Sequence, residues 1–358
     1  MEGDCTSRHS ARYSHPPKTR NFPTMKITHI IASATPGGME AHVATLCNAL
    51  SETHSVSVIA PPWHAAAFAP AVNVIPFERL LASRYDPVTL FKLHRLLQTL
   101  SPDILHAHGS KAATMIALPF FKTYTRIATV HGIKKHTHIF RRFDRLIAVS
   151  QKVADRLRPY PSVVIRNGIR IPEVPPPPCH NTPPTVLAIG RLAPVKGFSD
   201  LIKAWTRIKD ARLQIAGDGT ERERLETLIR QHNLQHRVQL LGHRDDIHDL
   251  LTACDLLVIP SHREGASLVF AEALARNRPV VSTDCGTMSE LMPPTLLAPP
   301  NAPEALAEKI NAALADLPAY SAQLTPLYDL CRRDMTTESM TAKTETVYKG
   351  TIPNENTI

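Results

Sequence analysis

Short runs of branched apolar residues recur along the chain, separated by segments of helical length. In the first half they are KITHIIA (26–32), SVSVIA (55–60), DILHAH (103–108), RIATV (126–130), DRLIAV (144–149) and SVVIR (162–166), alternating with stretches such as GMEAHVATLCNALSE and PVTLFKLHRLLQTL. Continuous apolar strands alternating with helices predict a doubly wound parallel sheet. A proline-dense stretch, IPEVPPPPCHNTPP (171–184), can hold neither a helix nor a central strand and reads as a stiff spacer. The alternation then restarts with TVLAIG (185–190), ARLQIAG (211–217), RVQLLG (237–242), DLLVIP (255–260) and PVVST (279–283). Two similar α/β halves are expected, residues 25–170 and 185–330, joined by the spacer 171–184. Past Asp316 the pattern fades until TTESMTAKTETVYKG (336–350), so residues 331–358 are expected to form a last helix and a tail, packed back on the first half. Residues 1–24 carry charges and prolines without an apolar core, which predicts a disordered tail rather than a secretory leader, with Met25 a candidate start.

The length of 358 residues fits two domains of about 150 each, and 43% apolar content supplies two cores. Aromatic residues are only 5% and scattered, so stacking platforms for nucleic acid are not expected. The six cysteines, Cys5, Cys47, Cys179, Cys254, Cys285 and Cys331, form no Cys-x-x-Cys pair and read as reduced thiols of a cytoplasmic protein. The longest apolar stretch, AATMIALPFF, is about half the length that spans a bilayer. Charge divides unevenly: residues 25–170 hold 18 Lys/Arg and 7 Asp/Glu, while residues 185–316 hold 15 and 17. The basic first half suits an anionic partner, and Lys134, Lys135, Arg141 and Arg142 in KKHTHIFRR are candidates to face an anionic membrane surface peripherally, at its inner face.

Ligands of open α/β sheets bind beyond the carboxyl ends of the strands, and the informative residues fall there. After TVLAIG comes RLAPVKG, where Gly190 frees the turn and Arg191 and Lys196 can clamp a diphosphate; an ordinary surface loop is the competing reading of that stretch alone. In the first half, Gly37 and Gly38 of TPGGMEA let backbone amides at a helix start approach an anion, although a Gly-Gly after a strand more often makes a tight turn than a phosphate cradle. His131 follows the strand RIATV and reads as a substrate contact, beside His106 and His108 of HAHG; no carboxylate or thiol has ligand spacing nearby, so a zinc site is not expected. In REGASLVFAEALAR, Glu264 precedes a Gly265-Ala266-Ser267 turn and Glu272 lies in a helical apolar run, with Ser267 a candidate helix cap.

Taken together, GRLAPVKG and EGASLVFAE, with PGGME, HAHGS, TVHG, AVS, RNG, AGDGTERERL, LGHRDDI and CDLLVIPSHREG in order, make residues 25–350 resemble the retaining glycosyltransferases of family 4. That resemblance implies the GT-B fold, two Rossmann-like doubly wound domains facing a central cleft, with the donor bound by the second. It implies that Glu272 holds the ribose hydroxyls of a nucleotide-sugar and that Glu264 approaches the sugar. Arg191 and Lys196 would contact the diphosphate, His131 would lie near the sugar, and Gly242 to Asp245, with Arg244 among them, would lie by the base. Two departures stand out: Ser267 replaces a proline frequent in the family, and residues 317–335 match poorly.

The resulting expectation is a retaining, nucleotide-sugar-dependent hexosyltransferase of lipopolysaccharide or other cell-surface glycan synthesis, with a UDP- or GDP-linked donor and a glycan or lipid-linked acceptor. No Asp-x-Asp occurs in the sequence, so no metal is expected at the diphosphate and no cofactor beside the donor substrate. A nicotinamide-dependent dehydrogenase shares the layering, but neither first turn is Gly-x-Gly-x-x-Gly and SVSVIA ends in Pro61 and Pro62 without a ribose-binding acid. A non-catalytic binding module of the same fold is the third reading, and the presence of Arg191, Lys196, Glu264 and Glu272 weighs against it.

Overall fold

The computed structural model describes residues 24–34, 37–132 and 136–350. Residues 1–23 of the expected tail, including Cys5, lie outside the described residues, as do Thr35 and Pro36 of the Gly-Gly turn and Lys134 and Lys135 of the basic segment.

The first sheet contains β1 (Lys26–Ile31), β2 (Ser55–Ala60), β3 (Asn73–Pro76), β4 (Ile104–His108), β5 (Thr125–Val130), β6 (Arg145–Ala148) and β7 (Val163–Val164). Its order is β3-β2-β1-β4-β5-β6-β7, every pair parallel. Helices α1 (Gly38–Leu50), α2 (Pro87–Leu100), α3 (Gly109–Ile116) and α4 (Gln151–Leu157) make the crossovers. The second sheet contains β8 (Thr185–Ile189), β9 (Arg212–Ala216), β10 (Val238–Gly242), β11 (Leu256–Ile259), β12 (Val280–Thr283) and β13 (Leu297–Ala298), parallel in the order β10-β9-β8-β11-β12-β13. Its helices are α5 (Phe198–Trp205), α6 (Arg222–Gln231), α7 (Ile247–Ala253), α8 (Leu268–Ala275), α9 (Gly286–Leu291) and α10 (Pro303–Ala315). Central strands such as β4, β11 and β12 are buried at every position, as helices on both faces of a parallel sheet require.

Each sheet has one place where the chain reverses its direction of growth, between β1 and β4 in the first and between β8 and β11 in the second. Loops leaving the carboxyl ends of two neighbouring strands diverge there to opposite sides and open a crevice. The stretches singled out in the sequence follow those strands: Gly37 and Gly38 after β1, His108 ending β4, Gly190 to Lys196 after β8, and Glu264 after β11.

Residues 171–184 contain no helix or strand, as their prolines dictate, and they are tied to the second sheet. Buried Arg278 donates to the carbonyls of Pro177 and Thr252, each at 2.7 Å, while the Asp255 carboxylate accepts from Asn181 Nδ2 at 2.8 Å and from the Thr185 amide at 2.7 Å. Beyond α10 the faded stretch forms α11 (Leu317–Gln323) and α12 (Thr325–Asp334), followed by α13 (Thr337–Tyr348). The chain crosses back at Ile169, whose amide and carbonyl bond the Met335 carbonyl (3.0 Å) and the Thr337 amide (3.1 Å). Met340, Val347 and Tyr348 of α13 then pack with Ile27, Val43, Leu46 and Ile127 of the first half. Gln151 at the start of α4 donates its amide to Glu290 of α9 at 2.7 Å, and Arg166 pairs with the same carboxylate. Among the described residues no helix is long and apolar enough to cross a membrane.

Candidate active site

The loops that follow β8 and β11 touch because neighbouring strands release them side by side. Gly197, in the left-handed region at φ +68°, closes the first loop, and a Cβ there would lie 2.0 Å from the Pro260 carbonyl oxygen. Only glycine permits that approach. His262 pins the same contact: its amide donates to the Val195 carbonyl at 2.9 Å, and its Nε2 lies 2.7 Å from Asp200 Oδ2. Lys196 therefore reaches Glu264, with Nζ 2.7 Å from Oε2. The side chains are 26% and 15% exposed, enough burial to strengthen the pair while keeping both heads reachable. The Lys196 stem runs over Gly190, where an added Cβ would stand 3.7 Å from the lysine Cδ and Cε. Arg191, next along the loop, is exposed.

Gly265 is where the two halves meet. A Cβ on it would lie 2.3 Å from the His131 carbonyl oxygen and 2.8 Å from Gly132 Cα, so the turn presses directly on the loop after β5. Asn167 Nδ2 donates to the Ala266 carbonyl at 3.4 Å, a second tie between the halves. Ser267 caps α8 by accepting the Phe270 amide at 3.3 Å, so the expected cap is formed. Leu268 packs near Gly38, within 3.5 Å of where a Cβ would stand, which brings the amino ends of α1 and α8 together. Both ends carry positive dipole charge, and together with Lys196 they make this crevice favourable for an anion. Gly37, the residue before α1, lies within 3.3 Å of Glu40 Oε2 by the same measure.

Glu272 sits one turn into α8, half-buried rather than on a solvated face. Desolvation raises its carboxyl above the ordinary range, opposed by the charges of His248 and Arg276. Gly242, at φ +74°, ends the edge strand β10 and its carbonyl accepts the Gly217 amide at 2.7 Å. Arg244 is turned toward Asp246, with Nε 2.7 Å from Oδ1, at the exposed end of that strand.

His131 is half-buried and continues inward as a group of imidazoles: its Nε2 is 3.2 Å from His108 Nδ1, and His108 Nε2 is 2.9 Å from His29 Nδ1. His106 Nδ1 meets the Tyr348 hydroxyl at 2.7 Å and its Nε2 meets Thr129 Oγ1 at 2.8 Å. Burial lowers the pKa of His29 to about 3 and of His42 to about 4, and pushes His106 and His108 well below the ordinary value, so these rings are neutral. His29, His42, Asn167, Asp200 and His262 were given no role from the sequence, although Asn167 lies in RNG and His262 in SHREG. An imidazole at a buried position of the apolar strand KITHIIA was the one local signal; the others acquire meaning through partners 62 or more residues away, as in the His262–Asp200 and Asn167–Ala266 contacts.

Residues 173–323 match the family model of glycosyl transferases group 1, and residues 36–171 match that of glycosyltransferase family 4. The chain belongs to the family 4, group 1 glycosyltransferases. Within this family it is 27% identical over 277 residues to the lipopolysaccharide core biosynthesis glycosyltransferase LpsD of Rhizobium meliloti (strain 1021), covering 72% of this chain and 78% of that protein. The lipopolysaccharide core biosynthesis glycosyltransferase LpsE of the same organism is 28% identical over 282 residues, covering 72% and 79%. Among solved structures, the Anabaena protein HepE in complex with UDP-glucose superposes with a TM-score of 0.80 at 22% identity, covering 91% of this chain and all of that one. The glycosyltransferase therefore has the GT-B fold, and the dehydrogenase reading is set aside.

Proposed function

We propose that this glycosyltransferase transfers a hexose from a nucleotide-sugar, UDP-linked in preference to GDP-linked, to a glycan or lipid-linked acceptor of lipopolysaccharide or related cell-surface glycan synthesis, with retention of the anomeric configuration. The observation that carries the reading is the Lys196–Glu264 pair, 2.7 Å apart where β8 and β11 release their loops, facing His131 across Gly265. The diphosphate lies against Lys196, Arg191 and the amino end of α8, with Gly37 and Gly38 opening the facing helix start. Negative charge grows on the leaving phosphate as the glycosidic bond breaks, and these fixed positive groups stabilise it without reorganisation. Glu264 accepts hydrogen bonds from hydroxyls of the sugar as it becomes oxocarbenium-like. Glu272 accepts from the ribose hydroxyls, and Gly242 and Arg244 flank the base. Since Lys196 already occupies Oε2 of Glu264, that carboxylate is a poor nucleophile, which favours front-face attack in which the leaving phosphate takes the acceptor's proton. UDP is preferred because HepE, similar in fold, was solved with UDP and with UDP-glucose, and the acceptor class follows LpsD and LpsE.

The acceptor's lipid would be met by the basic half. Arg141 and Arg142 line a groove with Tyr85, Leu118 and Ile139, and Phe91 and Phe120 are exposed nearby in the chain. Such aromatic and cationic groups suit the interface of an anionic membrane.

A panel of UDP-, GDP- and ADP-sugars assayed in EDTA, with the product anomer read by NMR, tests the reading. Turnover of a UDP-hexose to a product of the donor's own anomeric configuration is expected. An inverted product would refute retention, and strict dependence on added Mg²⁺ would refute a metal-free diphosphate site.

A further inference from the structure

The proposed reaction uses His131 and leaves the imidazoles behind it without a role. Of these, His42 on α1 is the least satisfied: it is 2% exposed and neither of its ring nitrogens has a hydrogen-bond partner. The Asn167 side chain, whose own Oδ1 is buried without a partner, offsets its burial in part without meeting hydrogen-bond geometry. An orphaned polar ring in a protein interior is destabilising unless something else binds it. Its neighbours are further imidazoles: the His42 and His131 ring centroids lie 4.8 Å apart, edge to face, and those of His42 and His108 lie 6.0 Å apart.

Against the expectation from sequence that no zinc site lies among these histidines, we propose that His42, His108 and His131 form a binding site for a zinc-type divalent cation at the first-half wall of the cleft. One ligand nitrogen from each of the three falls within 4.8 Å of the others. A tetrahedral zinc ion with Zn–N bonds of about 2.0–2.1 Å holds its nitrogens roughly 3.4 Å apart. The His108 Nδ1 to His131 Nε2 separation of 3.2 Å already meets that spacing, so the ion takes the place of the proton on His131 Nε2, which moves to Nδ1 of the same neutral ring, and a rotation of the His42 ring completes the set. With Nδ1 on the metal, His108 keeps its proton on Nε2 and donates it to His29 Nδ1 at 2.9 Å, the outer-shell bond that orients a ligating imidazole. Three imidazoles select Zn²⁺, Cu²⁺ or Ni²⁺ over Mg²⁺ and Ca²⁺. His106 is excluded because both of its nitrogens are engaged, by Tyr348 and Thr129.

Half-buried His131 gives the ion its entry from the cleft and leaves the fourth coordination position facing it. Binding takes Nε2 of His131 away from the donor sugar, so zinc is a reversible inhibitor; this consequence, unlike the site itself, rests on the role proposed for His131. The test titrates Zn²⁺ into the chelator-stripped full chain against a chromophoric chelator, and repeats it with His42→Gln. The wild type should take up one ion per chain at this site, and His42→Gln should bind it on the order of 100-fold more weakly. Co²⁺ bound to the wild type should show tetrahedral absorption, a readout that needs no variant. Zn²⁺ should suppress wild-type turnover and spare that of His42→Gln, whose metal-free activity is retained. Absence of zinc uptake by the wild type, or equally tight binding by a His42→Gln chain folded by circular dichroism, overturns the site. Binding that depends on His42 yet leaves turnover intact upholds the site and removes His131 from the reaction.

Discussion

Lys196 and Glu264 are 68 positions apart in the chain and 2.7 Å apart in space, so either one replaced leaves the other's charge without its partner. Lys196→Ala should lower kcat about 10²-fold, the scale for removing one fixed charge stabiliser, and Arg191→Ala should do the same. Steady-state kinetics with a UDP-hexose checks both, and unaltered turnover in the two variants would remove the diphosphate clamp. The sequence nominates Arg191, Lys196, Glu264, Glu272 and His131 because each lies in a short motif read locally, in a loop past a strand end or, for Glu272, in the helix that follows one. The Lys196–Glu264 pair was not legible, since it depends on β8 and β11 being neighbours, and that adjacency follows from topology rather than spacing. The same holds for His262 and Asp200, which brace the loop, and for His42, which gains its significance only from the rings beside it.

The turn from Glu264 to α8 concentrates several constraints in a few residues. Ser267→Ala should cost about 1 kcal/mol of stability through loss of the Phe270 cap, read by denaturant titration. Gly265→Ala should do more to activity than to stability, because its Cβ would enter the His131 carbonyl at 2.3 Å and push the halves apart. A folded Gly265→Ala enzyme with wild-type turnover would show that this contact does not matter for the reaction. The central strands were readable to within a residue or two, since both faces of a parallel strand are buried and its run is largely apolar. Edge strand β3, with Asn73 and Pro76 at its ends, and β13, set among Pro293, Pro294, Pro299 and Pro300, do not stand out as apolar runs, whereas the equally short β7 does because Ile165 extends it. Helices α11 and α12 were lost for a related reason: each is short and opens with a proline in its first turn, so the stretch reads as broken pattern rather than as two starts.

At the scale of the molecule, charge and topology assign different work to the two halves. The basic first half holds the groove of Tyr85, Arg141 and Arg142, and the near-neutral second half holds the Lys196 and Glu264 loops. Replacing Lys134, Lys135, Arg141 and Arg142 together by Gln should weaken binding to anionic vesicles strongly, at about 1 kcal/mol per cation. Unchanged vesicle binding would mean that this segment is a solvated charge run. The last helix ties the organisation together, since α13 leaves the second half and buries Tyr348 against His106 in the first.

In the proposed reaction two carboxylates of one turn and helix divide the labour, Glu272 holding the nucleotide and Glu264 the sugar. Calorimetric titration of UDP into the wild type and the two glutamine variants tests it most directly. A ribose contact is present in ground and transition states alike, so Glu272→Gln should weaken UDP binding, whereas Glu264→Gln should bind UDP as the wild type does and fail in kcat. Loss of UDP affinity in Glu264→Gln with wild-type affinity in Glu272→Gln would reverse the assignment, and wild-type behaviour of both variants would contradict the site altogether.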